Sequence, residues 1–391
     1  MSLCALRARF EKGRGGAPLE MRRIIATVLA AFLVQTAMAA ITIAPSRSAP
    51  VAKKIPSSRN RRKAAPKALP FVDQTAGDNI DGDDLTIRRA AVEALGNYNG
   101  SVVVVDPRSG RILTIVNQKL AFQGGFIPCS TVKLVTALAA LSEGIIDRET
   151  QLRLGRRGTM NLTTALAHSN NPYFSILGTR LGFARVHRYA RMFGLGEKAG
   201  LDIESERPGE LVSEPPKNGG VGMMTSFGEG ISQTPLELAA MLSAISNGGT
   251  LYYLQYPRSQ TEIESLTPRV KRKLEIYPWL SDIKVGMRAA VEFGTARRAS
   301  YDQGAPILGK TGTCTDFRSS NHMGWFGSFN EAGHNQLVVV VMLTGGHPVN
   351  GPLAAGVAGM VYRQLSQLNY FARAGGPPSL GMVAAQSCCA R

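Results

Sequence analysis

Between Pro128 and Gly144 the chain passes from loop into helix, and the residues at that junction dictate what the remainder must build around them. Pro128 resists helix, while Ser130 and Thr131 are cap-type residues able to satisfy free N–H groups at a helix start. Leu134, Val135, Leu138 and Leu141 then recur at helical spacing, and Gly144 marks the C-terminal stop. A serine at such a start sits in a positive field, beside unpaired N–H groups that can hold an oxyanion. Lys133 lies nearly one turn on, so its amine can fold back towards Ser130. Desolvated there, a lysine loses proton affinity and can serve as a base for the hydroxyl. Taken alone, Ser-x-x-Lys is common by chance and also describes a capping serine beside a solvated lysine.

Two motifs downstream change the balance: Ser169-Asn170-Asn171 and Lys310-Thr311-Gly312-Thr313. Each by itself reads as an ordinary turn or a solvated strand end. In this order, after Ser-x-x-Lys, they resemble the signature of penicillin-recognising serine acyl-enzymes. The resemblance is closest to the transpeptidase domain of penicillin-binding proteins and runs from about Ser101 to about Tyr370. It includes residues 100–110, similar to the family's opening hairpin, and Gly228-Glu229-Gly230-Ile231-Ser232-Gln233-Thr234-Pro235-Leu236, similar to a helix start typical of transpeptidases.

Carried over by motif position, the resemblance implies that Ser130 is the nucleophile and Lys133 its general base. Ser169 would relay a proton to the leaving amine, with Asn171 bonding Lys133 and the substrate amide. Lys310 would supply positive charge to Ser169 and to a substrate carboxylate, to which Thr311 and Thr313 would offer hydroxyls. Gly312, lacking a side chain, would let substrate backbone approach the strand edge. The backbone N–H groups of Ser130 and Thr313 would form the oxyanion hole. No cofactor and no metal is implied, and His168, His187, His322, His334 and His347 show no metal spacing. His168 and Glu229, though near these motifs, read first as structural.

The implied function is an exported serine acyltransferase, a DD-transpeptidase or DD-carboxypeptidase, acting on peptidoglycan stem peptides ending in D-Ala-D-Ala and covalently binding β-lactams. The chain lacks the long N-terminal module of the larger relatives and reads as a bare catalytic domain. A serine β-lactamase is the alternative within the same chemistry. It calls for a glutamate that activates water, and Glu197, Glu204, Glu206 and Glu210 follow Ser-x-Asn. The stretch Gly194–Asp202 nevertheless resembles transpeptidases. A non-enzymatic β-lactam or wall-fragment sensor, which acylates and stops, is the third reading.

Charge is unevenly spread. Residues 1–75 hold 14 Lys/Arg against 3 Asp/Glu, leaving 31 against 25 in the rest of a chain of net charge +17. Residues 1–40 read as a signal peptide or signal anchor, with a basic start at Arg22-Arg23, an apolar stretch and an Ala-x-Ala end. Cleavage is favoured because the apolar stretch is short for a span, while residues 22–40 are the candidate for membrane association. Export to the periplasm or the outer face of the cytoplasmic membrane follows. Residues 41–75 read as a basic disordered linker whose charge suits anionic lipid or wall polymer rather than nucleic acid. The acidic run Asp78–Asp84 misses EF-hand spacing and is rejected as a calcium site.

The fold class expected over residues 76–375 is α+β, an antiparallel sheet flanked by helices with an all-helical subdomain, β-lactamase/transpeptidase-like, followed by a flexible tail at 376–391. Helices are expected at Leu85–Leu95 (apolar at Leu85, Ala91, Val92 and Leu95), Thr163–Ala167, Tyr173–Leu181, Leu236–Asn247, Val285–Val291 and Ala354–Asn369. Strands are expected at Val102–Val105, Ile112–Val116, Ile307–Thr313, Met323–Phe329 and Leu337–Thr344. Of five cysteines, Cys4, Cys388 and Cys389 lie towards the ends, while Cys129 and Cys314 abut two motifs. That pair resembles the disulfide of some carbapenem-hydrolysing class A β-lactamases, and export would preserve such a bond. Two buried free thiols are the alternative.

Overall fold

Val102, Val103, Val104 and Val105 are all fully buried, which requires cover on both faces of their strand. Alternate residues enter different cores. Val103 and Val105 join Val338, Val340 and Met342 on one face, whereas Val102 and Val104 join Val339, Val341 and Leu343 on the other. The chain divides at Ala68/Leu69 into two units. The computed structural model describes residues 73–300, 302–315, 322–345 and 348–372, all within the second. The expected signal segment, almost all of the linker, the tail, Cys4, His347, Cys388 and Cys389 lie outside the described residues.

Among the described residues the main sheet has seven strands: β1 (Gly100–Asp106), β2 (Arg111–Val116), β3 (Gly200–Leu201), β4 (Leu254–Gln255), β5 (Ile307–Thr315), β6 (His322–Asn330) and β7 (Val338–Gly345). Their spatial order is β5-β6-β7-β1-β2-β4-β3. The first five in that order pair antiparallel. The expectation of an antiparallel sheet needs one correction, because β4 joins β2 and β3 in parallel and makes the sheet mixed. Those strands are two residues long, too short to leave a period-2 pattern in the sequence.

Helices α1 (Leu85–Leu95), α2 (Lys133–Ser142), α3 (Leu162–Ala167), α4 (Asn171–Leu181), α5 (Gly220–Phe227), α6 (Pro235–Ser246), α7 (Leu280–Glu292) and α8 (Gly351–Gln367) flank the sheet. α1 and α8 cover one face through Ile87, Ala91, Leu95, Ala354, Val361 and Leu365. The other core gathers Leu134 and Leu138 of α2, Leu162 of α3, Phe174 of α4 and Leu238 and Leu242 of α6. On α1 the buried stripe is Ile87, Arg88, Ala90, Ala91, Ala94 and Leu95, so Leu85 is exposed and Val92 only half-buried. α6 begins as its sequence suggests, with Thr234 and Glu237 forming a reciprocal capping box and Pro235 in the first turn.

The acidic run before α1 binds an arginine. Arg88 Nη2 lies 2.8 Å from Asp78 Oδ2, and its Nη1 lies 3.1 Å from Asp83 Oδ2 and 3.0 Å from Ile115 O. Asp78 also accepts from the N–H groups of Asn117 and Gln118, and Asp83 from Thr114 and Tyr256 hydroxyls. This network ties the segment before the sheet to β2. Arg88→Met would leave two buried carboxylates without their counter-ion. It should lower unfolding free energy by about 3–5 kcal/mol, seen as a lower urea midpoint at unchanged slope.

Candidate active site

The junction that opens the chain's chemistry is a 3₁₀ turn, Cys129–Val132, running directly into α2. Ser130 and Thr131 do not cap that helix, contrary to expectation: no side chain caps either the turn or α2. Thr131 Oγ1 instead lies 2.8 Å from Pro128 O in its own loop and 2.9 Å from Gln233 Oε1, just before α6. That leaves Ser130 Oγ free of backbone duties. Its recorded partner is Lys133 Nζ at 2.9 Å.

Lys133 is completely buried at the first position of α2. Besides Ser130, its Nζ meets Ser169 O at 2.8 Å, Ser169 Oγ at 3.1 Å and Asn171 Oδ1 at 2.5 Å. Burial, reinforced by the charge of Lys310, pulls its pKa down to about 6. A neutral amine here can donate to Ser169 O and Asn171 Oδ1 while its lone pair takes the Ser130 proton. A protonated one can donate to all three. Both protonation states are therefore satisfied without rearrangement, which is what a proton acceptor for Ser130 needs.

Ser169 and Asn171 arrive on the short connection between α3 and α4. His168 caps α3, and Asn170 caps α4 by accepting from Tyr173 N at 2.9 Å. Ser169 itself adopts φ +54°, a left-handed conformation rare outside glycine. That bend turns its carbonyl and hydroxyl towards Lys133. From the opposite side Lys310 Nζ donates to Ser169 Oγ at 2.8 Å and to Thr311 O at 2.9 Å. Lys310 is also fully buried, and desolvation lowers it to about 7. Ser169 thus bridges the two lysines.

Lys310-Thr311-Gly312-Thr313 lies on β5, the outer strand of the sheet, whose far edge has no neighbouring strand among the described residues. The Thr311 and Thr295 hydroxyls share a 2.6 Å hydrogen bond. Thr313 Oγ1 accepts from Gly351 N at 2.8 Å, leaving its proton for a ligand, and Thr313 is exposed. Gly312 has a second reason to be glycine. A Cβ there would meet Pro128 O at 3.0 Å, Trp325 Cβ at 3.1 Å and Cys129 Cβ at 3.3 Å, so the nucleophile turn occupies the space.

The turn is held from several directions. Cys129, at φ +53°, is bridged to Cys314 by a disulfide with Cα atoms 5.7 Å apart. Trp325 Nε1 of β6 donates to Ile127 O at 3.1 Å. Gln233, buried beside Thr131, also exchanges backbone hydrogen bonds with Phe126. Sequence reasoning singled out neither Gln233 as a support nor Thr295 as a partner of Thr311. Gln233 stands inside the family-like stretch Gly228–Leu236, whereas Thr295 carries no motif signal. His168 is exposed and its ring lies 5.9 Å from that of Phe293, so it stays outside the core. Among the described residues no group of three or more His, Cys, Asp or Glu is placed to hold a metal ion.

Residues 100–366 match the family described as the penicillin binding protein transpeptidase domain. Stage V sporulation protein D of Bacillus subtilis is 29% identical over 321 residues, covering 69% of this chain and 50% of its own length. Peptidoglycan D,D-transpeptidase MrdA of Haemophilus influenzae is 24% identical over 354 residues, covering 69% of this chain and 54% of its own. The chain thus spans about half the length of these curated relatives. In fold it is similar to the crystal structure of Pseudomonas aeruginosa PBP2 in complex with WCK 5153, with a TM-score of 0.61, 23% identity, and coverage of 72% of this chain and 76% of that one. Because the family match takes in most of the chain, including all three motifs that converge around Lys133, the chain belongs to the penicillin-binding protein transpeptidase domain family.

Proposed function

We propose that this protein is an exported serine acyltransferase that cleaves the terminal D-Ala from peptidoglycan stem peptides through an ester on Ser130, and that β-lactams trap the same serine. The observation that carries this reading is the buried Lys133 amine, 2.9 Å from Ser130 Oγ and lowered to about 6. Ser130 Oγ attacks the carbonyl of the penultimate residue as its proton passes to Lys133. The backbone N–H groups of Ser130 and Thr313 hold the oxyanion, each donor being worth about 3 kcal/mol. Collapse expels the terminal amine, which takes a proton from Ser169, resupplied from the lysines on either side. Lys310 and the Thr313 hydroxyl hold the substrate carboxylate, with Thr311 positioned beside them. An incoming amine, or water in a carboxypeptidase outcome, then releases the acyl group. A β-lactam ring opened by the same attack keeps its leaving amine tethered, so the ester persists.

Several observations favour transpeptidase over β-lactamase. Glu197 is neutralised by Arg191, Lys271 and Arg272, and Glu206 accepts from Ala199 N and Gly200 N. Glu204 is exposed and lines a separate cavity of about 780 Å³ with Tyr256 and Arg258. Glu210 is exposed on a short strand paired with Ser232–Ile231. Among the described residues none of these carboxylates is hydrogen-bonded to Ser130, Lys133 or Asn171. Export, membrane association through residues 22–40 and delivery to the wall rest on the basic-apolar pattern of the N-terminal stretch. No helix among the described residues is long and apolar enough to cross a membrane.

Penicillin should modify Ser130 alone, located by peptide mass spectrometry, and Ser130→Ala should carry no adduct. A chromogenic cephalosporin should be turned over slowly beside rapid labelling; fast turnover would identify a β-lactamase instead. Lys133→Ala should slow acylation by about 10²–10⁴-fold. The acylation rate of the unmodified protein should rise as Lys133 loses its proton near pH 6. It should fall again as Lys310 loses the charge that holds the carboxylate, near pH 7. A rate flat from pH 5 to 9 would remove both lysines from these roles. Finally, we expect alkylation of denatured, unreduced protein to spare Cys129 and Cys314. The double Cys→Ala variant should lose about 2–5 kcal/mol of stability.

A further inference from the structure

We propose that the cavity beyond the carboxyl ends of β3 and β4 is a second binding site, for a short peptide that keeps both a free amine and a free carboxylate. β3 and β4 pair in parallel, Gly200 with Leu254 and Leu201 with Gln255, so the chain leaves both strands at the same end. Residues 201–205 after the first and 255–258 after the second line a cavity of about 780 Å³, a size usual for small-ligand sites. Residues 265–267 and 269 complete its lining. That segment is anchored to β4 and its approach: Gln255 Nε2 donates to Thr267 O at 3.0 Å, and Tyr253 N donates to Arg269 O at 2.9 Å. Asp202 holds left-handed backbone at φ +58°, which aspartate tolerates better than most residues, and the chain turns off β3 there. β4 stands five strand spacings from β5, roughly 24 Å, so the cavity is separate from the cleft of Ser130.

Five charged side chains line this cavity: Asp202, Glu204 and Glu262, with Arg258 and Arg269. Among the described residues no ion pair joins any of the five to one another or to a further residue. Elsewhere on the surface such groups do pair: Glu143 holds Arg185 and Arg188, and Glu197 holds Arg191, Lys271 and Arg272. Two of the five are committed in other ways. The Arg258 guanidinium lies 3.7 Å from the centre of the Tyr256 ring, and its Nη1 donates to Asn79 O at 3.0 Å. Glu262 Oε2 accepts from Arg258 N at 2.7 Å. A Cβ on Gly82 would fall 1.9 Å from Pro257 O, so the segment before α1 is pressed against this loop and steadies it. That leaves the carboxylates of Asp202 and Glu204 and the guanidinium of Arg269 without a side-chain partner. Opposite charges kept in one cavity, yet out of reach of each other, suit a ligand that carries both. Its amine would meet Asp202 and Glu204, and its carboxylate the fork of Arg269. Leu201, Ile203 and Leu266 also line the cavity and suit an aliphatic side chain on the same ligand.

The test titrates the full chain with the tripeptide Ala-Leu-Ala, with its N-acetyl form and with its C-terminal amide, each followed by saturation-transfer NMR of the peptide. Wild-type protein should bind the free tripeptide with Kd of about 1 mM or tighter, and either cap should weaken binding about tenfold. Arg269→Gln should weaken the free and N-acetyl peptides about tenfold and leave the amide within about twofold, since the amide has already lost its carboxylate. Asp202→Asn combined with Glu204→Gln should do the converse, sparing the N-acetyl peptide. These three side chains are exposed, so the variants should keep the wild-type Tm. Lys310→Met and Thr313→Val each remove a carboxylate-holding group from the cleft, and both should bind the tripeptide as wild type does. Loss of binding in folded forms of those two would place the peptide in the cleft and overturn the proposal. No binding to wild-type protein at about 10 mM would overturn it as well. So would equal affinity for free and capped peptides, or charge variants that bind all three peptides as wild type does. None of these measurements uses acylation of Ser130, so their outcome is separate from that of the acyl-transfer function.

Discussion

A primary amine taken wholly out of water is the condition on which this site depends. Holding Lys133 charged in that position would cost several kcal/mol, so the protein lowers its proton affinity instead. The low affinity is useful only because the amine's surroundings suit both of its states. Ser169 O and Asn171 Oδ1 accept its hydrogens, and Ser130 Oγ can either give or receive. Lys310 adds a second buried amine, connected through Ser169 Oγ. Two buried cations so linked repel one another, which favours one proton shared across the pair and makes their titration a joint property.

Positioning Ser130 above that amine requires an unusual backbone, and the structure concentrates its constraints there. Cys129 and Ser169, one on each side of Lys133, both hold left-handed backbone without being glycine. Such conformations cost about 1–3 kcal/mol each and persist when neighbours over-determine them. For Cys129 the neighbours are the bridge to β5, the Trp325 indole on Ile127, and the Thr131–Gln233 contact beneath the turn. For Ser169 they are the two helices it joins, each closed at that point by its own cap. The glycine of Lys-Thr-Gly belongs to the same arrangement, since its missing side chain leaves room for the turn.

The sheet supplies the remaining order. Its central strands are buried on both faces, which fixes their register against two independent cores, while β5 stays at the edge. An edge strand is ordinarily a liability because its backbone groups seek a partner. Here it stands beside the turn that carries Ser130, whose Pro128 O and Cys129 Cβ fill the space above Gly312. Helices pack over the five antiparallel strands, while β5 ends the sheet with no strand on its outer side among the described residues.

The sequence by itself determined the elements with strong periodicity and the residues that meet in the cleft. The first helix was expected at its observed bounds, and β1, β2, β5, β6 and β7 lie within a few residues of their β-branched runs. Ser130, Lys133, Ser169, Asn171 and Lys310 were legible through the order of their three motifs and its resemblance to a known family, since each motif alone reads as a cap, a turn or a strand end. Tertiary structure alone decided what depends on partners remote in the chain. α5 went unread because Gly220 and Gly222 make a poor local helix, and it forms by packing, with Thr225 filling the space above Gly178. The acidic run was legible as charge but not as the seat of Arg88. Ser130 and Thr131 looked like caps since capping is a local rule, yet Thr131 bonds Gln233, about a hundred residues away, and Ser130 bonds Lys133. Periodicity and capping are written in neighbouring residues, whereas burial is the property of a whole packed chain, and it is burial that lowers the proton affinity of Lys133.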